Sequence, residues 1–77
     1  MPDGGRRLRD VRANDAIRSF SHFGYELVAV KGSHHRLNRT GGPQLVLPVH
    51  HGRIKAGILL DAVKKAGITL EEFEKQL

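Results

Sequence analysis

The sequence predicts an α+β domain, a three-stranded antiparallel sheet with helices on one face. Two stretches with a 3.6-residue apolar period bracket three short apolar runs, and glycine-containing turns separate these runs. At 77 residues there is room for one small domain. Such a chain buries only about 60% of its unfolded surface, which leaves no space for an internal cofactor. Helices that flank a three-stranded sheet must share one of its faces to make a core, so the other face stays open and carries any chemistry.

Residues 1–10 are rich in Gly, Arg and Asp, lack periodicity and predict a flexible basic arm, with a single domain over 11–77. Ala13, Ala16, Ile17, Phe20 and Phe23 recur at helical spacing, and Gly24 stands where a left-handed cap would end the first helix. Tyr25 to Val30 is apolar and β-branched and stops at Lys31-Gly32, as a strand before a turn should. His34 to Arg39 and Gln44 to Val49 flank Thr40-Gly41-Gly42-Pro43, a hairpin loop. Leu59, Ala62, Val63 and Ala66 form the stripe of a second helix capped by Gly67. Thr69 and Glu72 have capping-box spacing and Ile68 and Phe73 match a hydrophobic staple, so a short third helix begins at Leu70.

Thirteen Lys and Arg against eight Asp and Glu give a formal charge of +5, the footprint of a protein that meets phosphate or an acidic partner. With no cysteine, neither disulfides nor a thiolate metal site staple the fold, and a reducing cytoplasm fits. No run approaches the roughly 18 apolar residues of a spanning helix, so no membrane role is expected.

Within this frame, Gly32-Ser33-His34-His35 places two imidazoles just after a turn, beside Lys31 and Arg36. Imidazole exchanges protons near neutral pH, which raises the question of catalysis. Strand alternation separates the pair. Leu37 defines a core face shared with His35, while His34, Arg36 and Asn38 point to the open face. On the third strand Leu45, Leu47 and Val49 read as core, and a register pairing Leu37 with Leu47 would bring His50 opposite His34. The open face then gathers His34, Arg36 and His50, with Lys31 at one end and Arg53 and Lys55 in the loop before the second helix. These are the parts of metal-independent phosphodiester cleavage: an imidazole to take the 2′-hydroxyl proton, and cations to hold the phosphate.

The runs Gly24-Tyr25-Glu26-Leu27-Val28, Lys31-Gly32-Ser33-His34-His35, Val46-Leu47-Pro48-Val49-His50, Ala56-Gly57-Ile58-Leu59 and Ala66-Gly67-Ile68-Thr69 closely resemble the HicA (YcfA-like) mRNA interferase toxins over residues 11–73. The resemblance implies a double-stranded-RNA-binding-domain-like fold. It also implies a metal-independent endoribonuclease that cleaves mRNA and is silenced by a HicB-type antitoxin. His34 matches the catalytic position, and Lys31, Ser33, Arg36, His50 and Lys55 are the expected RNA-binding residues. Members often carry threonine where this chain has Ile58.

Blander readings compete. His35 on the core face is more often packed than catalytic. Histidines 34, 35, 50 and 51 form a weak zinc pattern, since strand neighbours diverge and no cysteine joins them. A non-catalytic RNA-binding module would use the same charge and the same sheet.

Overall fold

The computed structural model describes Leu8 and residues 11–77. Its order is α1 (Ala13–Ser21), β1 (Glu26–Lys31), β2 (His34–Asn38), β3 (Leu45–Pro48), α2 (Ala56–Lys65) and α3 (Leu70–Lys75). The strands form one antiparallel sheet in the order β1-β2-β3, with α1 against β1 and α2 against β3. The α+β class and helix–three-strand–helix order read from the sequence are therefore the fold.

α1 forms because Ala13, Ala16, Ser19 and Phe20 fall on one buried stripe, while Asp15 and Arg18 pair at 3.4 Å on the solvent side. It has no side-chain cap. Instead its first amide, that of Ala13, donates to the Gly52 carbonyl at 2.8 Å, so a distant turn satisfies a helix end. α3 starts as expected, with the Thr69 hydroxyl accepting from the Glu72 amide and the Glu72 carboxylate accepting from the Thr69 amide. Both staple residues, Ile68 and Phe73, are buried.

The core joins Phe20, Phe73 and Tyr25 to Leu37, Leu45, Leu47, Ile54, Leu59 and Val63. The Phe20 and Phe73 rings meet at 4.7 Å, and the buried Ser19 hydroxyl donates to the Phe73 carbonyl at 2.7 Å, which locks α3 onto α1. Leu8 is helical and wholly buried in this core, which therefore reaches back into the stretch expected to be a basic arm. The remainder of residues 1–10 lies outside the described residues.

The register differs from the one the apolar pattern suggested. Leu37 pairs with Leu45, Leu47 with His35, and Pro48, not His50, stands opposite His34. A slip of two residues leaves every side chain on its face, so the hydrophobic pattern cannot distinguish the two registers. Loop closure between Asn38 and Leu45 decides between them.

Between Leu27 and Ala29 the β1–β2 pairing slips by one residue, a β-bulge at Val28. Its effect on β1 is large. Leu27 pairs with Leu37 on the helix-facing side, but after the bulge Ala29 pairs with Arg36 and Lys31 with His34, on the open side. Strict alternation from Leu27 would have sent Lys31 to the helices.

Candidate functional site

The open face of β2 carries His34, Arg36 and Asn38, all exposed. The β1–β2 turn at Gly32-Ser33 positions His34, with Gly32 at φ 60° in the left-handed region that a side chain resists. The register then sets Lys31 directly beside His34 on β1, and Ala29 and Val46 on either side of Arg36. Ala29, Lys31, His34, Arg36 and Val46 line one cavity of about 330 Å³. One imidazole and two permanent cations thus share a concave patch on an apolar floor.

Other residues expected at this face lie elsewhere. His50 sits two residues past Pro48 and closes a separate hairpin, exchanging backbone hydrogen bonds with Arg53 at 2.9 Å in both directions. Lys55 is the exposed residue that opens α2. Ser33 is half-buried in the β1–β2 turn, and its carbonyl accepts from the Val49 amide at 2.7 Å. The structure therefore brings Lys31, His34 and Arg36 together and leaves His50, Arg53 and Lys55 away from that cavity.

His35 points the other way, as alternation requires, yet it is only half-buried. It lines a second cavity, of about 490 Å³, together with Arg12, His51 and Arg53. Its Nδ1 stands 3.4 Å from the Ser33 carbonyl, a long contact. His34 is thus parted from His35 and His51, and among the described residues no group of three or more His, Cys, Asp or Glu is placed to hold a metal. Arg12 was passed over in the sequence because it precedes α1 in extended backbone and meets Arg53, 41 residues on, only through tertiary pairing. The turn at His51-Gly52 was not read from the sequence, because His is not among the Asn, Asp or Gly residues that mark such a hairpin even though His51 adopts φ 53° there.

No helix among the described residues is long and apolar enough to cross a membrane. Residues 13–68 match the family model described as the HicA toxin of bacterial toxin-antitoxin systems. A search of curated proteins found no match. Because the family match runs from the first residue of α1 to the end of the α2 cap and takes in the whole sheet, this chain belongs to the HicA toxin family.

Proposed function

We propose that this chain is the toxin of a toxin–antitoxin pair and acts as a metal-independent endoribonuclease on mRNA, with His34 as its proton-transfer group. HicA toxins are generally ribonucleases and pair with HicB-type antitoxins. The observation that supports the chemistry is the shared cavity of Lys31, His34 and Arg36. In this reading the imidazole takes the 2′-hydroxyl proton and the 2′-oxygen attacks the adjacent phosphorus. Lys31 and Arg36 hold the phosphate oxygens as the bond to the 5′-oxygen breaks; that oxygen takes a proton from solvent water, and the imidazolium returns its own proton to solvent. The RNA supplies its own nucleophile, so no covalent enzyme intermediate and no metal is needed. Ser33 shapes the turn that presents His34, while His50 and Lys55 extend the basic surface beyond the scissile phosphate.

The test is cleavage of a defined RNA in excess EDTA, with fragments assayed for 2′,3′-cyclic phosphate ends. His34→Ala is expected to lower the rate by about 10²–10⁴-fold, the contribution typical of a positioned acid–base group, while leaving the thermal transition unchanged. Full activity of that variant would remove the assignment. The second reading, a non-catalytic RNA-binding module, draws on the same basic patch and predicts RNA shifted on a gel but left intact.

A further inference from the structure

β1 is poorly covered for so apolar a strand. Leu27, Val28, Ala29 and Val30 follow one another in it, yet Leu27 is 43% exposed, Val28 49% and Val30 55%. It is also an edge, since among the described residues its only neighbour in the sheet is β2. An edge strand leaves a row of backbone N–H and C=O groups unpaired, and exposed apolar side chains beside them make it a template for a further strand. The other edge is blunted. β3 is four residues long, ends in Pro48, which has no amide to donate, and lies against α2.

The charges on β1 indicate which strand fits it. Its two ends are exposed and opposite in sign, so laying β1 antiparallel on itself sets Glu26 against Lys31 at both ends and Leu27 against Val30 between them. Residues directly opposite in an antiparallel pair share a face of the sheet. In a regular strand Glu26 and Lys31, five apart, would point to opposite faces and could not meet in this way. The bulge at Val28 removes the obstacle. Glu26 pairs with Asn38 and Lys31 with His34, both on the open face, while Leu27 pairs with Leu37 and Val30 with His35 on the helix-facing side. Bulges and edge lysines elsewhere keep strands apart. Here the bulge brings both members of each self-pair to one face, and the lysine finds an acidic partner.

We propose that β1 is a self-association surface, through which two copies of this chain pair β1 to β1 about a two-fold axis, Glu26 of each facing Lys31 of the other. Two three-stranded sheets then become one antiparallel sheet of six strands. The two-fold axis stands normal to the sheet and keeps both open faces on the same side, so the two copies of His34 share a continuous surface. The seam is six residues long on each side, which places it among weak, concentration-dependent interfaces.

Sedimentation equilibrium of the full chain without RNA reads the dimer, so its outcome is separate from that of the ribonuclease reading. The wild type is expected to pass from monomer to dimer as its concentration rises toward ~1 mM. Glu26→Lys and Lys31→Glu are each expected to weaken the dimer about tenfold, because either one sets like charges opposite each other at both ends of the seam. Mixed in equal amounts, these two variants are expected to regain wild-type association. A Glu26→Lys chain against a Lys31→Glu chain has opposite charges at both ends again, although both chains remain net basic. Val30→Lys, at an exposed position, is expected to abolish the dimer and leave the thermal transition in place. A wild type that stays monomeric up to ~1 mM overturns the proposal and leaves β1 to a different protein. A dimer that survives Val30→Lys, or folded charge variants whose mixture associates no better than either alone, overturns it by placing the seam elsewhere.

Discussion

Arg39 donates to the Phe23 carbonyl at 3.3 Å and to the Ala66 carbonyl at 2.9 Å, and its guanidinium lies 4.6 Å from the centre of the Tyr25 ring. One side chain from the end of β2 thus satisfies carbonyls that follow α1 and end α2, where a cation also complements the helix dipoles. Its planar fork makes the two bonds and the ring contact at once, which an ammonium cannot do. Arg39→Lys is expected to cost about 2 kcal/mol, read from the urea midpoint at unchanged slope. In the sequence Arg39 looks like one more surface cation, because its partners lie 16 and 27 residues away. His34 was legible by contrast, since alternation against Leu37 needs only its neighbours in the chain.

At the level of elements, α3 is six residues long and too short to persist alone, so its ends and its one buried face decide whether it forms. The capping box satisfies two backbone donors of its first turn. Thr69→Ala is expected to cost about 1 kcal/mol, which for a domain of this size lowers Tm by about 4–8 °C in a thermal scan. This element was legible because a capping box and a staple are local spacings. β1 was not. Its run of apolar residues predicts a strand, but nothing in Tyr25 to Val30 marks the bulge at Val28 that sends Lys31 to the side of His34. Bulges answer to the fit between two strands, and only one of them is visible in a local window.

The molecule as a whole has a small margin. A chain of 77 residues is expected to be stable by about 4–12 kcal/mol. Phe73 is wholly buried against Phe20 and carries α3 into the core. Phe73→Ala is therefore expected to cost about 3–5 kcal/mol, enough to unfold a domain at the low end of that range. Retention of a cooperative transition near the wild-type midpoint would show that α3 is dispensable to the core. The same economy governs function. With helices on one side only, the open face and the gap beside the turn at 50–53 hold the two cavities, and under the proposed function the net charge of +5 would draw RNA to the open face. Under the proposed function, an antitoxin that covers the His34 cavity would compete with RNA for Lys31 and Arg36.

By itself the sequence determined the α+β order, the one-sided sheet, the capping of α3 and the outward direction of His34. All of these follow from periods and spacings within a dozen residues, where backbone geometry alone relates side chains. Tertiary structure decided which groups keep His34 company. The register set Pro48 opposite it in place of His50, the bulge delivered Lys31, and the pairing of Arg12 with Arg53 built a second cationic cavity around His35. Apolar patterning tells the two faces of a strand apart but gives the same score to registers two residues apart. Closing the loops and packing the layers removes that degeneracy, and neither is written in any short stretch of the chain.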